Sequence, residues 1–118
     1  MKILLLSLTL ISISAISQEP AKIENDTLYY AGQKYWEGKE IRMGYGSSQN
    51  KDFAFINFSS GLSASPASAG WSKSVIKIDK IYKQQGKCYI RGKIKGLAMN
   101  KAIVDIEGAI DNKELLTD

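Results

Sequence analysis

Apolar and polar residues alternate along several short stretches of the 118-residue chain. Between positions 40 and 45, Ile41, Met43 and Tyr45 are separated by charged or small residues. Alternation with a period of two is typical of a strand that buries one face. We therefore predict a strand over residues 40–45, with these three side chains on its buried face.

The second half of the chain carries the clearest strand pattern. Ile76 and Ile78 share one face of a predicted strand over residues 74–82, but Ile81 falls out of phase with them. An extra residue in one strand shifts the phase in this way. The sequence therefore predicts a β-bulge around Asp79-Lys80.

A hairpin turn is predicted next, over residues 84–87, because Gly86 readily adopts a positive φ. In the strand that follows, Cys88 alternates with polar residues and shares a face with Ile90 and Ile94. This placement predicts a buried, unreactive thiol. The alternative left open is a disulfide between two chains, since no second cysteine is present.

The rest of the chain adds short strands and no long amphipathic helix. Residues 108–116 fit a short terminal helix or one further edge strand. Short alternating strands with glycine at the bends are typical of small barrels and sandwiches. We predict an all-β fold: a six-stranded barrel of the SH3-like or OB-like kind, or else a compact sandwich. Further strands are predicted over 28–31, 34–36, 53–58 and 102–106.

Residues 44–58 combine a turn signal with a motif of serine hydrolases. Ser48 and Lys51 have the Ser-x-x-Lys spacing of a serine nucleophile and its lysine base. A lysine base needs a lowered pKa and hence burial, whereas Lys51 lies in a polar stretch. We therefore interpret this segment as a tight hairpin that leads into the strand at Phe53.

The first residues match a secretory signal peptide. Lys2 is followed by an uncharged apolar run that is shorter than the ~20 residues of a spanning helix, and small residues precede position 18. We expect a signal peptide over 1–17, a loose leader over 18–27 and a single β domain over 28–118. The protein would then be secreted or periplasmic, with no transmembrane segment.

Positive charge is concentrated in the second half of the chain. From Lys73 to Lys101 there are nine basic residues and one acid, Asp79. Such asymmetry marks either solvated strand faces or a surface for an anionic partner. An anionic glycan, a cell-envelope polymer or a protein is the expected partner, and nucleic acid is not. The candidate ligand-binding cations share one strand face: Lys77, Arg91, Lys93 and Lys95.

Aromatic residues supply a second set of binding candidates. Tyrosine and tryptophan combine a flat apolar face with a polar group, which suits contacts with sugars or peptides. Trp36 and Trp71 flank predicted turns, so we expect them to be exposed. The serine- and alanine-rich segment 61–70 is predicted to be a long surface loop, because it has little apolar surface to bury.

Several chemistries lack the residues that they need. The chain has no histidine and one cysteine, which argues against histidine-based catalysis, thiolate clusters and most zinc sites. Asp105 and Glu107 are two residues apart, but so small a domain rarely forms the cleft that a carboxylate pair needs. We predict no catalytic residue, no metal site and no cofactor.

A series of turn and strand positions runs through nearly the whole mature chain. It reads Gly38-x-x-Ile41-x-x-Gly44-x-Gly46-Ser47, then Phe53-x-x-Ile56, Val75-Ile76-x-Ile78 and Val104-Asp105-Ile106-Glu107. This series resembles small secreted bacterial all-β proteins of unassigned function. The resemblance implies an exported β domain and transfers no functional residue.

These features together predict an exported, non-enzymatic domain that binds a glycan, a peptide or a protein surface. The alternative is a small inhibitor or accessory subunit of a secreted enzyme, acting through the 61–70 loop. The oligomeric state stays open.

Overall fold

The strands form two antiparallel sheets in the computed structural model, which describes residues 19–60, 63–96 and 100–117. The predicted signal peptide, 1–17, lies outside the described residues. The smaller sheet is a three-stranded meander in the order β1-β2-β3. Its strands are β1 (Lys22–Glu24), β2 (Thr27–Tyr30) and β3 (Gln33–Tyr35).

The larger sheet has six strands in the order β4-β7-β8-β9-β5-β6, so β4 and β6 lie at opposite edges and no barrel closes. The all-β prediction is confirmed in its sandwich form, and a short C-terminal helix, α1 (Ile106–Asp111), is present. A 3₁₀ helix spans Ala69–Trp71. The six strands are β4 (Glu40–Arg42), β5 (Ile56–Ser60), β6 (Ser63–Pro66), β7 (Val75–Gln84), β8 (Lys87–Ile94) and β9 (Lys101–Asp105).

The β7–β8 hairpin follows the sequence pattern closely. The register shifts between Ile78 and Lys80, which confirms the predicted bulge. The turn has two central residues, Gln85 and Gly86, with φ of 51° and 81°. Two positive φ angles are the signature of the hairpin turn whose twist matches that of the flanking strands.

The core lies between the inner face of the larger sheet, the smaller sheet and α1. The inner face is built mainly from isoleucines, and the cluster also includes Leu28 of β2 and Ala109 of α1. Cys88 belongs to this core and is 1% exposed, as its phase predicted. Burial raises the pKa of its thiol, although the charge of Lys83 opposes that effect. The thiol therefore stays protonated and unreactive at neutral pH.

The smaller sheet is fixed to α1 by carboxylates of the helix. The Tyr30 hydroxyl donates to Oδ1 of Asp111 at 2.8 Å, and the N–H of Ala21 donates to Oε2 of Glu107 at 3.1 Å. Burial, then the bond to Asp111, raises the pKa of Tyr30 to about 12. Ala21 is buried and residues 22–24 form β1, so this part of the expected loose leader over 18–27 is structured, while residue 18 lies outside the described residues.

Residues 44–55 form a loop around a buried carboxylate, and the hairpin predicted here is wrong. The flanking strands β4 and β5 do not pair with each other. Glu114 is 0% exposed and accepts bonds from the N–H groups of Ser47, Ala54 and Phe55 at 3.0, 2.7 and 2.8 Å. The Ser47 hydroxyl donates a fourth bond to the same side chain.

The glycines of this loop allow backbone segments to pack closely against each other. Hairpin turns also favour glycine, which is why the sequence resembled one. A Cβ on Gly44 would lie 2.3 Å from the carbonyl oxygen of Lys113. A Cβ on Gly46 would lie 2.0 Å from that of Lys51. Both distances are far below any normal contact, so the loop closes around Glu114 only with glycine at these positions.

The segment 61–70 is more ordered than its composition predicts. Residues 63–66 form β6, which pairs with β5 along its length, and Ala67 is buried with its N–H bonded to Ile56. Residues 61 and 62 lie outside the described residues. The expectation of a long surface loop is wrong for residues 63–66, because backbone pairing needs no large side chain.

Among the helices of the described residues, none has the length and apolar character needed to cross a membrane.

Candidate binding surface

The outer face of the β7–β8 hairpin is turned away from the core and carries most of the candidate residues. Strand alternation puts isoleucines on the inner face and polar or aromatic side chains on the outer one. We call this outer face the basic ribbon. It consists of Lys77, Lys80, Tyr82, Tyr89, Arg91, Lys93 and Lys95.

Three lysines from three adjacent strands form one row across the sheet. Lys77 of β7 lies opposite Lys93 of β8, which lies opposite Lys101 of β9. Lys77 and Lys93 are exposed, and no carboxylate of the described residues lies within ion-pair distance of either. Like charges directly opposite each other destabilise a sheet. The row is therefore a place where a bound anion would relieve repulsion.

Asp79 neutralises part of the ribbon from its position in the bulge. Its Oδ1 accepts a bond of 3.0 Å from Nε of Arg91, and its Oδ2 accepts one from Lys101. Burial by itself would raise the pKa of Asp79, but the bonds from Lys101 and Arg91 lower it below its ordinary value. Because of the bulge, Arg91 lies opposite Lys80 and not opposite Lys77.

Lys95 ends the ribbon next to the edge strand β4. Its Nζ lies 3.5 Å from Oε2 of Glu40, and the two side chains are 66% and 50% exposed. An ion pair this exposed contributes little to stability and exchanges readily for another anion. Lys95 therefore remains available to a ligand.

Two stacked tyrosines lie toward the turn end of the ribbon. The rings of Tyr82 and Tyr89 face each other across the hairpin with centroids 5.5 Å apart and planes 19° apart. Lys80 Nζ lies 5.3 Å from the Tyr82 centroid. Burial and the neighbouring Tyr89 raise the pKa of Tyr82. Sequence analysis did not select this pair, although counting outward from the predicted turn would have placed the two side by side.

The two tryptophans lie on other parts of the fold. Trp36 follows β3, is 46% exposed and has Lys39 Nζ 4.7 Å from its ring. Trp71 is half-buried against the core, edge-on to Phe58 of β5 at 5.4 Å. The structure therefore brings Lys77, Arg91, Lys93 and Lys95 together on one face but puts neither tryptophan in that set.

The residues considered for catalysis are engaged elsewhere. Ser48 Oγ lies 2.7 Å from both Oδ1 of Asn50 and the backbone oxygen of Asp52, and its one proton is shared between these acceptors, while Lys51 is exposed. Asp105 pairs with Lys87, and Glu107 accepts the N–H of Ala21. Within 19–60, 63–96 and 100–117, no group of three or more His, Cys, Asp or Glu side chains could hold a metal ion.

Comparisons with protein-family models, with curated proteins and with solved structures found no match to this chain. The geometry of the basic ribbon, together with the signal-peptide pattern over 1–17, is therefore the basis for proposing a function.

Proposed function

We propose that the protein is an exported, non-enzymatic binding domain that holds an anionic polysaccharide along the basic ribbon. The observation that carries this proposal is the lysine row, in which exposed Lys77 directly faces Lys93. No carboxylate of the described residues lies within ion-pair distance of either lysine, including Glu40, which lies opposite Lys77 on β4 and pairs with Lys95. Such a row attracts a partner that brings several negative charges at once.

The dimensions of the ribbon favour a polymer over a small ion. β8 has eight residues, so its outer face is about 26 Å long at ~3.3 Å per residue. Cations follow one another along this length, and the Tyr82–Tyr89 pair adds flat apolar surface at one end. Aromatic faces pack well against sugar rings, so an acidic polysaccharide matches both features.

The proposal is tested by binding of polygalacturonate and of a neutral dextran of similar length. We expect the mature chain to bind polygalacturonate, with affinity falling as salt rises, and not to bind dextran. Each lysine charge contributes ~1 kcal/mol to binding at a solvated surface. We therefore expect the double variant K77Q/K93Q to lose at least tenfold in affinity for polygalacturonate.

A matched control removes the same net charge elsewhere. Lys51 and Lys113 are exposed lysines outside the ribbon, and we expect K51Q/K113Q to bind like the wild type. An equal loss in both double variants would show a response to net charge alone and overturn the assigned surface. Equally tight binding of a single-stranded DNA oligonucleotide would overturn the assignment to a glycan.

The export part of the proposal has its own test. Expression of the full chain in a bacterial host, followed by fractionation and mass measurement, should yield a processed form that begins at Gln18 outside the cytoplasm. Full-length chain retained in the cytoplasm would contradict export.

A further inference from the structure

A cavity of ≈ 380 Å³ lies beside the edge strand β4. Its walls come from β3, from β4 and Lys39 before it, from the start of β7 and from the residues after α1. This volume is within the range of small-molecule sites, which combine apolar walls with a few polar groups. The side chains used below are Gln33, Lys39, Arg42, Leu116 and Thr117.

Large apolar side chains that are exposed lie around this cavity. Leu116 is 43% exposed and forms part of the wall. Trp36 is 46% exposed, and its ring lies 4.7 Å from Nζ of Lys39, another wall residue. Exposed rings beside a cavity are the feature by which proteins contact sugar faces.

The second exposed ring, that of Tyr45, is connected to the same wall through Lys73. Tyr45 is 60% exposed and has Lys73 Nζ 5.8 Å from its centroid. The carbonyl oxygen of Lys73 accepts a bond of 2.7 Å from Nη1 of Arg42, which lines the cavity. Within the described residues, Trp36, Tyr45 and Leu116 are the exposed large apolar side chains. Leu116 lines the cavity, Trp36 contacts the wall residue Lys39, and Tyr45 is linked to the wall through Lys73.

The wall carries two cations whose positions are fixed. Lys39 Nζ lies between the rings of Tyr35 and Trp36, at 5.0 and 4.7 Å, and donates to the carbonyl of Lys34 at 2.7 Å. Arg42 is held by its bond to Lys73, which uses one of the five N–H groups of a guanidinium. The remaining donors can bind a carboxylate in the paired geometry that arginine favours.

The cavity is continuous with the basic ribbon. Arg42 lies opposite Val75, whose carbonyl accepts the N–H of Lys95 at 3.0 Å. Glu40, the one acid in the wall, is paired with Lys95. A chain that lies along β8 and turns at Lys95 would therefore cross β7 at Val75 and reach the cavity beside β4.

We infer that this cavity binds one acidic sugar unit, of the uronic acid class, from the polysaccharide on the ribbon; the inference thus rests on the proposed function. The carboxylate of the sugar binds Arg42 and Lys39, and the sugar ring packs on the ring of Trp36. Gln33 and Thr117 offer donors and acceptors to the hydroxyl groups.

A single tryptophan makes the site measurable on its own. The chain has two tryptophans, so W71F leaves Trp36 as the only fluorescent indole. In this background we titrate glucuronate, glucose and acetate. We expect a fluorescence change with a millimolar midpoint for glucuronate alone, because glucose lacks the charge and acetate lacks the ring.

Variants separate the cavity from the ribbon. R42Q should raise the dissociation constant for glucuronate at least fivefold, and Q33A should raise it at least twofold. K77Q/K93Q should leave it within twofold. Thermal melts of each variant establish that the fold is intact, and Q33A carries the test if R42Q proves unstable.

The cavity assignment and the ribbon assignment can fail independently of each other. No response to glucuronate, or an equal response to acetate or glucose, would overturn the cavity assignment, while polygalacturonate binding that depends on Lys77 and Lys93 would still support the ribbon. Glucuronate binding that depends on Arg42, without polygalacturonate binding, would overturn the ribbon.

Discussion

The backbone N–H of Phe55 donates a hydrogen bond of 2.8 Å to Oε1 of Glu114, which lies 59 positions later in the chain. Three further donors from Ser47 and Ala54 reach the same carboxylate. A buried carboxylate is stable only when its charge is satisfied by such donors. This one side chain therefore holds the 44–55 loop against the residues that follow α1.

Replacing Glu114 with glutamine should destabilise the fold strongly. E114Q keeps the shape but removes the charge and points an NH₂ group at backbone donors. We expect a loss of about 2–4 kcal/mol in the free energy of unfolding, measured by urea denaturation. The control E37Q alters an exposed glutamate and should stay within ~0.5 kcal/mol. A loss below ~1 kcal/mol for E114Q would show that the carboxylate is not structurally important.

Gly46 should not tolerate even one methyl group. A Cβ there would lie 2.0 Å from the oxygen of Lys51, with the backbone of Asp52 also within 2.5 Å. We expect G46A to cost about 1–3 kcal/mol by thermal or urea unfolding. G70A is the matched control, because nothing lies within 4 Å of its added Cβ. Equal stability of the two variants would contradict the tight closure of the loop.

Asp79 should make the fold sensitive to acid. Burial by itself would raise the pKa of Asp79 in the folded protein, but the bonds from Lys101 and Arg91 lower this pKa below its ordinary value. A lowered pKa adds stability above pH ~4, and this contribution is lost as pH falls through the folded pKa. D79N should therefore lower stability at pH 7, and the stability difference between the wild type and D79N should shrink as pH falls below ~4.

The measurement is a series of urea titrations from pH 7 to pH 2 on both proteins. D105N serves as the control, since Asp105 has a single, longer contact of 3.5 Å with Lys87. A wild-type minus D79N difference that stays constant over this range would rule out the charge of Asp79 as its source.

The sequence pattern was sufficient to predict the structure where that structure depends on residues close together along the chain. The bulge at Asp79, the turn at Gly86 and the burial of Cys88 all belong to one hairpin, whose two strands are joined by two residues. The same alternation correctly grouped the cations of β8. Period-two patterns carry this information because register in a hairpin is fixed by its turn.

Pattern failed where contacts join distant segments. The glycines before Ser47 resembled a hairpin turn because the need for close approach and the need for positive φ select the same residue. Trp71 was expected to be exposed, but its contact with Phe58 depends on the β5–β6 pairing. Nothing in the local sequence around Glu114 distinguishes it from a solvated glutamate.

The separation between Ser47 and Glu114, 67 positions, has a kinetic consequence. Contacts between distant segments cost more loop-closure entropy than contacts within the β7–β8 hairpin. We therefore expect the Ser47–Glu114 contacts to form after the folding barrier. Their loss should then speed unfolding while leaving the refolding rate almost unchanged. In a chevron plot, E114Q should shift the unfolding limb to faster rates. The carboxylate of Glu114 would then set how long the folded state lasts before it unfolds.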